Sequence, residues 1–421
     1  MIQARFSQFF QNKKLLLRLC CETAKHRAFL ERLLSRPGGS TLLKSTAVRS
    51  NRNVALVLLY ELVLGQGATR RSAPGKHEKP FFDAMRSVER LVRALAEQDV
   101  TPQSLASTSA AAALPRYARV NTLRATVDEA LRRLEAEHGF RARHMSAEVP
   151  AKLYRRMVAE MAPADVFVDP HLADLLIFAP RTDLHDSAMV TDGTLVLQDK
   201  ASCLATLSLR PDPLAGNTID VCAAPGMKTS HLAALTQNKG KIFAIDRDQS
   251  RIKTLRATLK SCGARNVNVM NEDFLRLDVT EQRFNKIAFA IVDPPCSGSG
   301  MTRRGEFLDE NETTDDKRLR SLANLQTMIL KHTLLLPNLQ RCVYSTCSVH
   351  DVENEGVVAE VLADEEIASR FELVDDLMPT WRHRGSKDYE FGAKCLRASP
   401  GDDLTNGFFV AGFQRKANEK E

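Results

Sequence analysis

The 421-residue chain lacks a long apolar run, a paired-cysteine motif and a strong net charge. No stretch approaches the roughly eighteen apolar residues of a membrane helix, because Glu61 interrupts the best candidate, residues 54–64. We therefore expect neither a membrane span nor a signal peptide. The nine cysteines are irregularly spaced without any C-x-x-C, so we expect no disulfide framework and no metal site, and thiols that stay reduced.

The charge that is present is unevenly distributed. The chain has 59 Lys+Arg and 52 Asp+Glu, a net +7. Residues 1–60 hold eleven Lys or Arg and two Glu, 11 − 2 = +9, which leaves −2 for the remainder. A local basic excess is typical of nucleic-acid binding, since phosphate contacts release counterions. A solvated helix face or an import signal would explain the charge alone almost equally well.

The length predicts two or three domains, and the composition is that of a globular protein. Residues 1–112 are interpreted as a basic helical module. Apolar residues recur at three- and four-residue spacing and predict helices, while segments rich in Gly, Pro, Ser or charge predict connections. The predicted helices cover residues 9–34, 53–64 and 82–98, with a loop at 65–80 and a linker at 101–113.

Residues 113–185 are interpreted as a small α+β RNA-binding unit. Residues 119–123 are strand-like, and a helix is predicted over 126–137 because Thr126 and Glu129 have the spacing of a capping box. Extended pieces are predicted at 166–168 and 175–178.

Residues 186–416 alternate short apolar strands with helices, and 417–421 form a tail. Strands are predicted at 218–222, 241–245, 267–270, 286–292 and 341–345, and helices at 227–236, 248–262 and 351–362. This alternation predicts a doubly wound α/β fold, in which ligands bind beyond the carboxyl ends of the strands.

Three strand ends carry features of a nucleoside site. After Asp220, the small residues of the turn would let backbone N–H groups approach a ligand. The turn lacks G-x-G-x-x-G and the first glycine of a Walker loop, and an ordinary βα turn explains it equally well by itself. Asp246 and Asp273 end the next two strands, and a strand-end carboxylate is the usual acceptor for ribose hydroxyls.

Two further strand ends carry thiols. Asp293-Pro-Pro-Cys296 is a rigid turn, because the prolines fix the backbone. Cys347 precedes a helix expected to start near Asp351, and helix N–H groups can lower a thiol pKa. An inert buried cysteine is the better interpretation of either thiol alone, but two at the ends of adjacent strands indicate a reactive pair.

Together these motifs identify a family resemblance. DVCAAPGMKT, IVDPPCSGSG and YSTCS, with LPRYARVNTL upstream and CLRASPGDDLTNGFF near the end, resemble the Nop/Sun family of RNA cytosine-C5 methyltransferases. The matching motifs run from residue 114 to about 415. The basic N-terminus and residues 182–202 are most similar to the branch that methylates eukaryotic large-subunit (28S-type) rRNA. The resemblance implies a Rossmann-like class I methyltransferase core that uses S-adenosyl-L-methionine.

The resemblance also implies roles for individual residues. Cys347 would attack C6 of the cytosine, Asp293 would hold N3/N4 of the base, and Cys296 would assist product release. The residues implied on the cofactor side are Cys222, Ala223, Ala224, Pro225, Gly226, Met227, Lys228, Asp246, Asp273 and Asp293, with Asp246 at the ribose and Asp273 near adenine. Lys228 would face the base or the cofactor carboxylate, or would be a surface lysine.

The implied partner is large-subunit rRNA, bound by a monomer in pre-ribosomal particles of the nucleolus. A tRNA or another RNA remains an alternative substrate, and a scaffolding role with vestigial catalysis remains an alternative function. Arg119 and Lys200 could contact RNA phosphates or be structural. For His231 and Trp381, packing is the preferred interpretation over catalysis or stacking on RNA.

Overall fold

The computed structural model describes residues 19–35 apart from 21 and 25, 52–63, 114–145, 149–301 and 316–417. The chain forms two compact units, residues 1–111 with 305–312 and residues 112–304 with 313–421. The loop predicted at 65–80, the helix at 82–98 and the linker at 101–113 lie outside the described residues. None of the described helices is long and apolar enough to cross a membrane.

In the first unit, two described helices pack against each other. Helices α1 (Arg27–Leu34) and α2 (Arg52–Val63) bury leucines such as Leu30 and Leu59. Glu31 accepts a hydrogen bond from Nε of Arg52 at 3.0 Å. The two predicted helices are therefore confirmed at residues 27–34 and 52–63, while residues 9–18 are not described.

The second unit begins with a five-stranded sheet. Its elements are β1 (Arg116–Val120), α3 (Val127–His138), β2 (Arg141–His144), α4 (Ala151–Ala159), β3 (Asp165–Val168), β4 (Leu175–Phe178), α5 (Ala188–Thr191) and β5 (Leu195–Val196). The strand order is β2-β3-β4-β1-β5, with only β2 and β3 parallel. The predicted capping box is present, because Thr126 accepts from the Glu129 amide and Glu129 from the Thr126 amide. Strand β5 lies beyond residue 185, the predicted limit of this unit.

The strand predicted at residues 119–123 is displaced. Strand β1 ends at Val120, and the side-chain amide of the next residue, Asn121, donates to the carbonyls of Gly193 at 2.8 Å and Cys262 at 2.7 Å. Asn121 therefore ties the small sheet to the larger one instead of extending the strand.

The larger sheet follows the predicted rhythm. Its elements are α6 (Lys200–Leu209), β6 (Asn217–Asp220), α7 (Met227–Leu235), β7 (Ile242–Ile245), α8 (Gln249–Cys262), β8 (Val267–Met270), β9 (Ile287–Val292), α9 (Asp316–Leu334), β10 (Arg341–Thr346), α10 (Glu355–Leu362), α11 (Glu365–Arg370), β11 (Phe371–Leu373), β12 (Leu396–Ala398), α12 (Pro400–Asp403) and β13 (Phe408–Arg415). The order is β11-β13-β10-β9-β6-β7-β8, with β12 paired to β13.

Strands β6 to β10 are parallel, and β13 runs antiparallel to β10. All six residues of β9 are buried, which is typical of a parallel strand covered on both faces. One layer packs Ile329 of α9 and Val358 of α10 on the sheet, and the other packs Leu204 of α6 and Leu232 of α7. The predicted doubly wound fold is confirmed, with the strand order reversing between β6 and β9.

Candidate functional site

Two thiols meet at the carboxyl edge of the larger sheet. Strands β9 and β10 are parallel neighbours, so the turns that follow them emerge side by side. Cys296 lies in the turn after β9 and Cys347 directly after β10, with their sulfurs 3.2 Å apart. The structure thus brings together the two cysteines that the sequence placed at adjacent strand ends.

A carboxylate and a lysine flank the thiol pair. Oδ2 of Asp293 lies 2.7 Å from Nζ of Lys228, the second residue of α7, and Oδ1 accepts from the Ser345 hydroxyl at 2.9 Å. The ammonium group also lies 5.3 Å from the ring centroid of Phe408. Lys228 is therefore largely buried in the site, which excludes its interpretation as a surface lysine.

This environment makes Cys347 the more acidic thiol. The hydrogen bond from Cys296 and the charge of Lys228 lower the pKa of Cys347, against the opposing effects of burial and of Asp293. The same hydrogen bond, with burial, raises the pKa of Cys296. Since a thiolate is a better nucleophile than a thiol, Cys347 is the more reactive of the two, while Cys296 holds its proton more firmly. The neighbouring thiol and ammonium, rather than a helix N-terminus, lower the pKa of Cys347, because only a short 3-10 turn begins at Asp351.

Lys228 keeps its charge despite its burial. Burial alone would favour the neutral amine, but the Asp293 carboxylate more than compensates and raises the pKa of Lys228. Behind the pair, burial raises the pKa of Asp220 to about 7, although Thr229 donates to its carboxylate at 2.7 Å. The site therefore holds one firmly ionised ammonium beside a reactive thiol.

Sequence reasoning missed a buried network that holds the Cys296 turn. Nε2 of Gln326, on α9, donates to the carbonyl of Pro295 at 2.9 Å and to Oε1 of Glu353 at 3.0 Å. The same Glu353 oxygen accepts from the amide of Ser297 at 2.9 Å. The Tyr344 hydroxyl lies 3.2 Å from Gln326 Oε1. The backbone on both sides of Cys296 is thus fixed by side chains from distant elements.

A close backbone contact joins the two cysteine turns to the start of β13. The amide of Gly300 donates to the carbonyl of Cys347 at 2.9 Å, and the amide of Gly407 donates to the carbonyl of Gly300 at 2.8 Å. A Cβ at Gly300 would lie 2.2 Å from the Gly407 carbonyl oxygen. Only glycine fits this approach.

The cofactor-side residues surround the turns after β6 and β7. Gly226, the residue before α7, has φ of +104°, and a Cβ there would lie 2.9 Å from Leu255. Asp246 accepts from the amide of Ala224 at 3.2 Å and lies 3.4 Å from Arg251. Small residues beside a strand-end carboxylate, next to the reversal in strand order, suit the methionine and ribose parts of S-adenosylmethionine.

Two other residues predicted on the cofactor side, Cys222 and Asp273, lie in different environments. Burial raises the pKa of Cys222, so it stays a neutral thiol. Asp273 caps a 3-10 turn by accepting from the Leu275 amide at 3.3 Å, and it lies after β8, the edge strand.

Four residues considered outside the core motifs are structural. Nζ of Lys200 is buried 2.7 Å from Asp169, and the Arg119 guanidinium is buried against Gln198 at 2.9 Å. The alternative that these two contact RNA phosphates is therefore wrong. His231 is buried, with a pKa lowered to about 4 by burial and the Arg119 charge. The indole of Trp381 is also buried and donates to a backbone carbonyl at 2.7 Å.

Comparisons with known proteins match almost the whole chain. The family model described as 16S rRNA methyltransferase RsmB/F matches residues 206–414. The model of the ferredoxin-like domain of NOL1/NOP2/Sun domain family member 5 matches residues 114–198. These two ranges cover the larger sheet from α6 onward and the five-stranded sheet.

Two relatives are similar over most of their length. The 26S rRNA (cytosine-C(5))-methyltransferase nsun-5 of Caenorhabditis elegans is 41% identical, with 98% of this chain and 93% of the relative covered. A 28S rRNA (cytosine-C(5))-methyltransferase of Mus musculus is 36% identical, with 97% and 86% covered. The crystal structure of a methyltransferase homologue from Pyrococcus horikoshii shares the fold, with a TM-score of 0.54 at 24% identity over 91% of this chain and 100% of that one.

Proposed function

Because the chain belongs to the Nop/Sun family of RNA cytosine-C5 methyltransferases, we propose that it methylates C5 of a cytosine in large-subunit rRNA through a covalent adduct between Cys347 and C6. S-adenosylmethionine would supply an electrophilic methyl group, whose bond to the sulfonium sulfur would break as the bond to C5 forms. The observation that carries the proposal is the thiol pair, with sulfurs 3.2 Å apart beside the Asp293–Lys228 ion pair.

The first step uses the acidity of Cys347. Neutral cytosine is a poor nucleophile at C5, and addition of the Cys347 thiolate at C6 moves an electron pair onto C5, which then forms the bond to the methyl group. Asp293 holds N3/N4 of the base and stabilises the adduct. Lys228 holds the Asp293 carboxylate in place through its 2.7 Å contact.

The second step needs the other thiol. Loss of the proton from C5 returns an electron pair to the ring and breaks the bond between Cys347 and C6, so that the thiolate leaves. Cys296 passes its own proton to the departing Cys347 sulfur and takes up the proton from C5, so both thiols are protonated when the product leaves. Its position 3.2 Å from the departing sulfur supports this role.

The remaining assignments extend the proposal. Residues 222–228 and Asp246 line the methionine and ribose side of the cofactor, and Asp273 lies near adenine. Residues 113–185 bind RNA, and residues 1–112 add positive charge. The protein works as a monomer on pre-ribosomal particles in the nucleolus, and immunofluorescence beside a nucleolar marker tests this location.

The test compares two cysteine variants on large-subunit rRNA. Cys347→Ala is expected to lose methylation and to form no adduct, while Cys296→Ala accumulates a covalent protein–RNA species visible on denaturing gels. Cys20→Ala, at an exposed thiol, is the control and should behave as wild type. Wild-type methylation by Cys347→Ala would overturn the mechanism.

One measurement tests each of the two alternatives, a tRNA substrate and a scaffolding function. Bisulfite sequencing of RNA from cells without the protein shows whether the lost 5-methylcytosine lies in rRNA, as proposed, or in tRNA. Calorimetric titration with S-adenosylmethionine separates an enzyme from a scaffold, because a scaffold with vestigial catalysis would show no heat of binding.

A further inference from the structure

A basic cleft lies at the edge of the larger sheet, away from the thiols. It has a volume of about 470 Å³ and forms between α8, the turn after it, and β8. Among the described strands β8 pairs with β7 alone, so it is the edge strand of the sheet, and Val267 and Val269 of this strand line the cleft. Four of the nine lining residues are basic and none is acidic: Arg124, Arg256, Lys260 and Arg265, with Leu259, Gly263, Ala264, Val267 and Val269.

The charge of this cleft follows from the pattern of α8. The helix carries four basic residues and no acidic residue. Lys253, Arg256 and Lys260 are spaced i, i+3, i+7 and therefore share one exposed face, a stripe about 10 Å long at 1.5 Å per residue. Attraction to the helix C-terminus explains a lysine in the last turn, but not Lys253 and Arg256, which lie earlier in the helix.

A second segment completes the cleft. The guanidinium of Arg124, from the turn after β1, donates to the carbonyl of Ser261 at 2.8 Å, and a Cβ at Gly263 would come within 3.2 Å of it. Gly263 has φ of +71°, so it both ends α8 and leaves room for this arginine. The cleft is thus assembled from two separate parts of the chain.

The described hydrogen-bond partners of two arginines in the cleft are backbone carbonyls and not carboxylates. Arg256 Nη2 donates to the carbonyl of Val269 at 3.2 Å, as Arg124 does to that of Ser261. Within the described part of the chain, no carboxylate forms an ion pair with Arg124, Arg256, Lys260 or Arg265. Elsewhere in the described part of the chain, exposed arginines such as Arg133 and Arg283 do pair with carboxylates. Unpaired, exposed cations around a concave surface suit an external polyanion.

We propose that this cleft binds the phosphate backbone of a segment of the RNA substrate other than the one that contains the target cytosine. The choice of RNA as the polyanion rests on the proposed function. The cleft lies by the amino end of β8, whereas the thiols lie at the carboxyl ends of β9 and β10, so its role is to hold a second segment of a large folded RNA. Contacts to phosphates fix register and orientation without reading sequence.

The test measures RNA affinity as a function of salt. The probe is deproteinised large-subunit rRNA, and the variant is Arg256→Glu with Lys260→Glu. Loss of two phosphate contacts should weaken binding about tenfold at moderate salt and reduce the slope of log K against log salt by about 1 to 2. Arg256→Gln with Lys260→Gln gives a smaller loss in the same direction, should the charge reversal impair folding.

A matched control separates this cleft from general charge. Lys286→Glu with Lys416→Glu makes the same change in net charge at exposed lysines outside the cleft, and should bind nearly as wild type. Equal loss in both double variants, or wild-type affinity and slope in the cleft variant, would overturn the proposal. Unchanged RNA binding with lost binding to polyglutamate would also overturn it, in favour of an acidic protein partner.

The chemistry is tested separately. Single-turnover methylation at saturating RNA should be unchanged in the cleft variant, since no catalytic group is altered. If wild-type protein binds rRNA through the cleft but methylates none of it, the proposed function fails while the cleft proposal stands.

Discussion

At the scale of single residues, Lys228 sets the chemistry of the site. Its ammonium contacts Asp293 at 2.7 Å and contributes to the lowered pKa of Cys347. The desolvated setting strengthens both effects, because water does not screen them as it does at a surface. One cation thus acts on both Asp293 and Cys347, the groups that we propose hold the base and attack it.

The first prediction concerns Lys228→Met. Removing the positive charge raises the pKa of Cys347, so less thiolate is present at any given pH and the acid limb of the pH–rate profile moves to higher pH. Methylation at neutral pH should fall on the order of a hundredfold, the scale for losing one preorganised electrostatic contact. The measurement is the rate of iodoacetamide labelling of Cys347 across a pH series, read from its peptide by mass spectrometry.

We expect the charge of Lys228, rather than its shape, to cause the change in the pKa of Cys347. Lys228→Arg keeps the charge and should retain a labelling midpoint close to that of wild type, while Lys286→Met, at an exposed lysine, should change nothing. A Lys228→Met midpoint identical to that of wild type would show that the Cys296 hydrogen bond alone governs the acidity of Cys347.

At the scale of secondary-structure elements, helix α9 and the 3-10 turn at 351–353 support the Cys296 turn from behind. Gln326 and Glu353 lie 27 residues apart in sequence and meet at 3.0 Å. Together they bond the Pro295 carbonyl and the Ser297 amide. A buried network of this kind fixes one arrangement because each unmade bond is costly.

The second prediction follows for Gln326→Leu. Without the Gln326 side-chain amide, the Pro295 carbonyl loses its hydrogen-bond donor. Cys296 can then move away from the Cys347 sulfur. Turnover should fall about tenfold, with adduct accumulating on denaturing gels to a level between wild type and Cys296→Ala, while single-turnover methyl transfer changes little. Glu353→Gln keeps an acceptor for the Ser297 amide and should resemble wild type. Equal slowing of both steps without adduct would indicate general damage instead.

The elements that carry local signals were predictable from sequence. Strand ends marked by Asp293, Cys296 and Cys347 lie where the alternation of strands and helices put them, and the capping box of α3 is present. Helix α9 and strands β11 to β13 were not predicted from the sequence, because no acid or thiol at the end of a strand marks them. Gln326 and Glu353 escaped for a related reason, since their role depends on a contact across 27 residues.

At the scale of the whole molecule, net charge proved a poor guide to where cations act. Residues 1–60 carry +9 and the rest of the chain −2, yet α8 lies in the acidic remainder and holds four basic residues and no acid. Lys200 and Arg119 show the converse, because both are cations in sequence and both are buried in the structure. Burial depends on packing between the two sheets, which composition does not report.

Lys200 joins those two sheets. It is the first residue of α6, and its ammonium lies 2.7 Å from Asp169, which follows β3 of the small sheet. Tyr154 contributes a hydroxyl at 3.4 Å, and the ring of Trp381 lies 5.5 Å from the ammonium. Burial opposes both charges, but their mutual attraction raises the pKa of Lys200 and lowers that of Asp169. The pair therefore stays ionised within the joint.

The third prediction concerns Lys200→Met. The substitution leaves the Asp169 carboxylate buried without its cation, which costs about 3–5 kcal/mol in the free energy of unfolding, measured by urea denaturation. Lys200→Met with Asp169→Asn removes both charges and should recover most of that loss.

Because the pKa of Asp169 is lowered in the folded state, the stabilisation by the pair is present at neutral pH and is lost in acid, as pH falls through that folded-state pKa. The difference between wild type and Lys200→Met should therefore shrink in acid, and a difference that is constant with pH would show that the joint depends on packing of the lysine stem instead of on charge.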